Sequence, residues 1–276
     1  MKLFQFITKL ILNYRLTTWR SRALPDFIII GAQKAGTTSL YAYLCQHPQI
    51  LSPASKEIHF FDGDRSPGED NFEKGESWYR SHFPRKSTLG IDKKTFEATP
   101  FYLFNPLVPK RIFKLIPKVK LIVLLRNPTE RALSHYFLEK RNNRESLPVL
   151  DALMAEDNRL ESVIKKKEYR NKAFRYHTYK SRGLYKNQIE RYLNYFSRKQ
   201  ILIIDSEKLS SDTNNTLKQI FGFLDVDTKF VVNDLTKYNI ASNKTQVDPE
   251  VYEYLNNYFH PHNEELYKLI GEDFGW

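Results

Sequence analysis

Nine consecutive residues, Gly31-Ala-Gln-Lys-Ala-Gly-Thr-Thr-Ser39, combine two glycines, one lysine and three hydroxyls. Between a strand and a helix, such a loop aims backbone N–H groups and the positive end of the helix at a phosphate. The alternative is a plain βα turn. The flanks favour phosphate, because an apolar run, Asp26-Phe-Ile-Ile-Ile30, precedes the loop and a helical pattern follows it. The lysine is misplaced for a nucleoside triphosphate. A Walker A loop carries Lys directly after the second glycine, whereas here Thr37 follows Gly36 and Lys34 lies inside the loop. A lysine there suits the bridging oxygen of a shorter anhydride. A second stretch, Lys165 to Lys186, interleaves nine cations with Tyr169, Phe174, Tyr176, Tyr179 and Tyr185. That mixture suits single-stranded nucleic acid, a sugar-like or anionic ligand, or a solvated helix end with snorkelling lysines.

The elements that must hold these residues follow from hydrophobic spacing. Residues 26–30, 120–125 and 200–204 are short apolar runs of buried-strand type. Helical patterns cover 37–47, 106–116, 129–143, 149–167, 186–196 and 213–224, and 249–270 reads as two short helices broken at Pro261. Buried strands alternating with helices predict a parallel sheet covered on both faces. Residues 52–105 read as irregular, rich in aromatics and punctuated by Pro and Gly. A connection that long is expected to carry function.

The chain of 276 residues suits one large α/β domain whose core needs no disulfide. We expect a basic amphipathic segment at 1–22 ahead of a single domain at 23–276. Net charge is +11, which favours an anionic partner. Residues 1–22 carry +5 and residues 165–186 carry +8, so the remaining 232 residues sum to −2. Anion binding must therefore rest on placed residues. The single cysteine, Cys45, excludes an intrachain disulfide and fits a reducing compartment such as the cytoplasm. It reads as a buried structural thiol. No stretch approaches the ~20 apolar residues of a membrane span, and the first 16 residues lack the pattern of a secretory signal. Residues 1–22 read as a helix packed on the domain or as a segment resting on an anionic membrane surface.

GAQKAGTTSL resembles the 5′-phosphosulfate loop of the P-loop sulfotransferases, which use 3′-phosphoadenosine 5′-phosphosulfate (PAPS) and release the bisphosphate PAP. Arg126-Asn-Pro-Thr-Glu-Arg-Ala-Leu-Ser134-His-Tyr136 is similar to that family's R-[D/N]-P-x-x-R-x-x-S-x-Y, whose first Arg and Ser hold the 3′-phosphate. The physics agrees. Arg126 emerges at the carboxyl edge of the sheet, where open α/β folds bind ligands, Pro128 suits a first helical turn, and arginine binds phosphate with two parallel hydrogen bonds. Lys56-Glu57-Ile-His59-Phe-Phe-Asp62, Glu97-Ala-Thr-Pro100-Phe-Tyr102, Gly183-Leu-Tyr185 and the segment 247–276 resemble parts of the heparan-sulfate-type glycan sulfotransferases. The resemblance covers roughly residues 25–276. It implies a three-layer, P-loop-like α/β fold with a central parallel sheet flanked by helices.

The same resemblance implies in-line transfer of a sulfuryl group to a hydroxyl or amine of a carbohydrate or glycan-like acceptor, one that is anionic if the 165–186 strip docks it. Such chemistry needs cations and N–H donors more than covalent catalysis. Lys34 would neutralise the leaving phosphate oxygen, and Ala35, Gly36, Thr37, Thr38 and Ser39 would cradle the phosphosulfate. Arg126, Ser134, Tyr185 and Lys244 would complete the cofactor site. Glu57 would take the acceptor proton, with His59 orienting it or sharing the proton, and Glu97 stands next in line as base. The bland readings are a surface Lys56–Glu57 pair and a packed His59. No metal is required, since a phosphosulfate lacks the β/γ oxygens that Mg²⁺ bridges. Two departures stand out. The lysine that follows the family's glutamate is Ala98 here, leaving Lys93 or Lys94 as replacement, and the K-G-R clamp is absent, with Asn243-Lys244-Thr245 in a shorter loop. The competing function classes are a P-loop kinase and a non-catalytic polyanion or membrane-surface binder.

Overall fold

The computed structural model describes residues 11, 13–63, 70–238 and 247–276. In chain order the elements that frame the site are β1 (Phe27–Gly31), α1 (Thr37–Leu44), β2 (Ile50–Leu51), β3 (Lys94–Ala98), α2 (Val108–Leu115), β4 (Lys120–Leu125) and α3 (Pro128–Arg141). They are followed by α4 (Glu156–Lys165), α5 (Tyr185–Leu193), β5 (Ile201–Asp205), α6 (Thr213–Leu224) and α7 (Pro249–Ile270). The five strands form one sheet in the order β2-β3-β1-β4-β5, and every neighbouring pair is parallel. All five residues of β1 are buried. Because side chains alternate between faces, both faces of the central strand must be covered. Leu40 and Leu44 of α1, Ile112 of α2, Ile189 and Tyr192 of α5, and Leu217 and Ile220 of α6 join the strands in one core. The three-layer α/β expectation holds.

β1, β4 and β5 lie within one residue of the apolar runs, because a strand buried on both faces shows as an unbroken apolar stretch. β2 lies just ahead of the segment expected to be irregular, and β3 lies inside it. Lys94-Thr-Phe-Glu-Ala98 has neither an apolar run nor clean alternation, yet Glu97 is fully buried within it. The helix expected over 149–167 is two, Val149–Met154 and Glu156–Lys165. The break lets Glu156 turn inward, where its carboxylate accepts from the backbone N–H groups of Lys180 and Ser181.

The expected break at Pro261 is absent, since α7 runs unbroken from Pro249 to Ile270. A proline frees the carbonyl four residues earlier. Here both Pro261 and Asn257 face solvent, so water can satisfy that carbonyl. Meanwhile Val251, Leu255, Phe259, Asn263 and Leu266 form a buried stripe past the proline. A second apolar cluster joins that stripe to Ala132, Leu133 and Tyr136 of α3. Cys45 is also not the buried thiol expected, because it sits just beyond the end of α1 and is exposed.

The amino-terminal arm turns part of its charge toward the protein. Arg15 Nη2 and Arg22 Nη1 each donate to the Phe83 carbonyl at 3.0 Å, and Arg22 is buried. These cations bind backbone and are not displayed to a surface. Residues 1–10 of the arm lie outside the described residues.

Candidate active site

β1 feeds the glycine loop, and α1 leaves it. Gly36 adopts φ +89° at the N-cap of α1, and no side chain caps the helix. The first-turn N–H groups of an α-helix have no intrahelical partner. At Thr37, Thr38 and Ser39 they therefore face the loop mouth with the positive end of the helix dipole. Gly31 is required by close approach. A Cβ there would lie 2.5 Å from Leu103 Cβ, and Leu103 N donates to the Ile30 carbonyl across the loop.

β4 pairs with β1 and brings Arg126 beside the loop. Arg126 Nη1 donates to the Lys34 carbonyl at 3.2 Å, and its Nη2 pairs with Glu130 Oε2 at 3.3 Å. Asn127 caps α3 by accepting from Glu130 N, and Pro128 occupies the first turn. Ser134 lies two turns along α3 and is partly exposed. Tyr185 is buried, and its hydroxyl donates to the Arg126 carbonyl at 2.9 Å, so it supports the backbone of Arg126. Ser39 Oγ accepts from Tyr238 N at 3.0 Å, where the chain departs toward 239–246. Lys244 itself lies outside the described residues. The Lys34 ammonium has its pKa lowered, first by burial and then by the charges of Arg141, Arg126 and Arg131, with Glu139 opposing.

The opposite wall hangs on β3. Glu57 N donates to the Ala98 carbonyl at 3.1 Å, placing Glu57 at the same carboxyl edge as the loop. Glu57 and His59 both have left-handed backbone, φ +58° and +54°. Such strain in non-glycine residues needs support from its surroundings, and several contacts supply it. Tyr102 Oη accepts from Phe60 N and Phe61 N at 2.9 and 3.2 Å, and Asn71 Nδ2 donates to the His59 carbonyl. His59 Nδ1 lies 2.7 Å from Asp62 Oδ2, and His59 Nε2 lies 3.5 Å from Glu57 Oε2. A carboxylate, an imidazole and a second, buried carboxylate thus stand in line.

Beneath this loop lies Glu97. Tyr102 and Thr99 donate to its Oε1 at 2.6 and 2.8 Å, and Tyr79 donates to its Oε2. Burial raises the carboxyl pKa to about 7 against these three donors, and the charge of Asp62 adds to the rise. With its oxygens taken by three hydroxyls, Glu97 is placed to support the loop above it and not to meet an acceptor.

The structure gives several residues partners that the sequence did not supply. Lys56 Nζ donates to Thr38 Oγ1 at 2.7 Å and lies 3.5 Å from Glu57 Oε1. Lys93 and Lys94, the expected replacements at Ala98, precede β3 or begin it and so lie at the far, amino end of the sheet. Arg131 is fully buried. It donates to the Tyr179 carbonyl, while its Nε and Nη1 have no partner among the described residues. Arg182, inside the cationic strip, is buried under the rings of Phe101 and Phe104 and donates to Gln33, next to Lys34. Burial and the nearby Arg131 charge press its pKa well below the usual range. The strip is therefore split, a solvated helix end at its start and an inward-packed second half. Lys165–Lys167 are exposed, whereas Phe174, Arg175, Tyr179, Lys180, Arg182 and Tyr185 are buried. Arg131 and Asp62 stood inside the quoted motifs, so the signal for them was present.

The sulfotransferase domain family matches residues 24–274, nearly the whole chain. The chain belongs to the sulfotransferase family. It is 32% identical to mouse heparan sulfate glucosamine 3-O-sulfotransferase 5, over 92% of this chain and 74% of that protein. A sulfotransferase from Alicyclobacillus acidocaldarius is 31% identical with a TM-score of 0.71, covering 91% of this chain and 98% of the other. Mouse SULT7A1, solved with PAP, shares the fold at a TM-score of 0.52 and 15% identity, over 93% of this chain and 91% of its own. The enzyme is a PAPS-dependent sulfotransferase, and PAPS supplies the sulfuryl group. The residues present fit such a donor: an uncapped helix start, a partly buried lysine, and buried arginine N–H groups without partners among the described residues.

Proposed function

We propose that this sulfotransferase acts on a hydroxyl of a carbohydrate or glycan-like acceptor, with Glu57 as the base. The observation that carries the reading is the line Glu57–His59–Asp62, held at the carboxyl edge of the sheet facing the start of α1. Glu57 takes the proton of the acceptor hydroxyl. A proton on His59 Nδ1 donates to Asp62, which leaves Nε2 turned toward Glu57 to orient it or to share the proton it gains. A positioned base contributes on the order of 10²–10⁴-fold.

Lys34, the N–H groups from Gly36 to Ser39, and the hydroxyls of Thr37 and Thr38 receive the phosphosulfate, while the Ala35 N–H shapes the loop by donating to the Ala32 carbonyl. Arg126 and Ser134 receive the 3′-phosphate, with Lys244 as a further cation and Tyr185 fixing Arg126. The carbohydrate acceptor is supported by the relative whose name gives heparan sulfate glucosamine as its substrate. An anionic acceptor is kept as a reading for the exposed cations at the start of the 165–186 strip, Lys165–Lys167.

Residues 23–276 are read as one catalytic domain. No helix among the described residues is long and apolar enough to cross a membrane. Peripheral membrane contact is kept as a reading for the segment 1–22, and a cytoplasmic site is favoured by a lone, exposed thiol. The test is transfer from radiolabelled PAPS to a panel of sulfated and unsulfated oligosaccharides, amino sugars and simple alcohols. Labelled oligosaccharide is the expected product. Label on simple alcohols alone would remove the carbohydrate reading.

A further inference from the structure

We propose that Lys56 is a second catalytic cation, placed to touch the equatorial sulfuryl oxygens during transfer and to hold Glu57 ionised. The proposal rests on the reading of Glu57 as base. Its observation is one ammonium shared between two walls of the site. Lys56 Nζ lies 2.7 Å from Thr38 Oγ1, in the first turn of the helix that faces the phosphosulfate, and 3.5 Å from Glu57 Oε1. The ammonium thus stands between the start of α1 and the carboxylate read as the base.

Three placements point the same way. Lys34 lies toward the β4 side of the loop, among the charges of Arg126, Arg131 and Arg141, with Arg126 bonded to its carbonyl. Ala98, whose carbonyl holds Glu57 N, offers no cation from β3. Lys94 starts β3 and so lies four residues away, roughly 13 Å at strand rise. Lys56 is one-fifth exposed, open enough to meet substrate.

In the step, the acceptor oxygen forms a bond to sulfur as the bond from sulfur to the bridging phosphate oxygen breaks. The acceptor proton goes to Glu57, and the departing electron pair stays on the phosphate of PAP, neutralised by Lys34. Lys56 gains and loses no bond. A fixed cation where charge develops is worth on the order of 10²–10³-fold when removed. An exposed Lys–Glu pair without that role contributes next to nothing.

Among the described residues, the groups facing Glu57 are Lys56 and His59 on its own loop with Asp62 behind, the Thr38 hydroxyl from α1 and the Ala98 carbonyl from β3. Removing Lys56 takes away a cation beside the base. The acid limb of the kcat profile should then move upward by about one pH unit.

The experiment compares wild type, Lys56→Ala, Lys56→Arg and Glu57→Gln in PAPS-dependent transfer, with PAP affinity measured by calorimetry. We expect Lys56→Ala to lose about 10²-fold in kcat, shift the acid limb upward and keep its PAP affinity within about threefold, with Lys56→Arg restoring most of the rate. A kcat within about threefold of wild type and an unmoved acid limb would overturn the proposal, as would a loss of PAP affinity matching the loss of rate. Glu57→Gln separates the two readings. If it is inactive while Lys56→Ala is active, only the role of Lys56 falls. If it is fully active, the reading of Glu57 falls with it.

Discussion

Glu97→Gln should abolish a pH dependence of stability that the wild-type protein carries across neutral pH. Glu97 is fully buried, and burial outweighs three hydroxyl donors, pushing its carboxyl from 4.5 to about 7. The folded protein therefore binds this proton more tightly than the unfolded chain does. The neutral carboxyl contributes its full stability below the unfolded pKa of 4.5, and that contribution is lost as pH rises through about 7. A shift of this size corresponds to about 3 kcal/mol.

Glutamine copies the protonated state. Its carbonyl can accept from Tyr102 and Thr99, while its amide donates to Tyr79. The variant should match wild type near pH 5 to within about 1 kcal/mol, one hydrogen bond's worth. It should exceed wild type by up to about 3 kcal/mol near pH 8. Urea titrations at several pH values read this directly, because every other group titrates alike in both proteins and cancels in the difference. A difference that stays flat from near pH 5 to near pH 8 would refute the reasoning. It would mean that the three O–H donors already hold the carboxylate ionised at the acid end. Tyr102 links this network to the Glu57 loop, since its hydroxyl also takes the N–H groups of Phe60 and Phe61.

Gly183→Ala places a Cβ 2.6 Å from Phe259 Cε1 and 3.0 Å from Pro128 Cβ, where α7 and α3 meet. The expected cost is about 1–3 kcal/mol, read as a lower urea midpoint at unchanged slope; an unmoved midpoint would show that Phe259 yields freely. Tyr185→Phe removes the hydroxyl that holds the Arg126 carbonyl. It should cost about 1 kcal/mol in stability and weaken PAP several-fold through Arg126, and an unchanged calorimetric affinity would disconnect Tyr185 from the nucleotide.

The parts of the site legible in the sequence were those built from local pattern. The glycine loop, its strand and its helix occupy adjacent residues, and the buried strands β1, β4 and β5 announce themselves as apolar runs. β3 did not, because its buried Glu97 reads as a surface charge until three hydroxyls from Tyr79, Thr99 and Tyr102 are seen around it. Arg182 was hidden for the same reason. A guanidinium tolerates burial when backbone carbonyls and aromatic faces meet it, and those partners are distant in sequence. Lys56 looked like half of a surface pair, since its contact to Thr38 spans 18 positions. Pro261 looked like a helix end because the burial stripe that carries α7 past it depends on α3.

The central claim is that Glu57 removes the acceptor proton while the nucleotide is held elsewhere in the site. It is tested most directly by single-turnover transfer from radiolabelled PAPS in Glu57→Gln, with PAP affinity measured on the same preparation. The account predicts a loss of at least about 10²-fold in the transfer rate with PAP affinity unchanged. Transfer at close to the wild-type rate would contradict it and move the base to another residue.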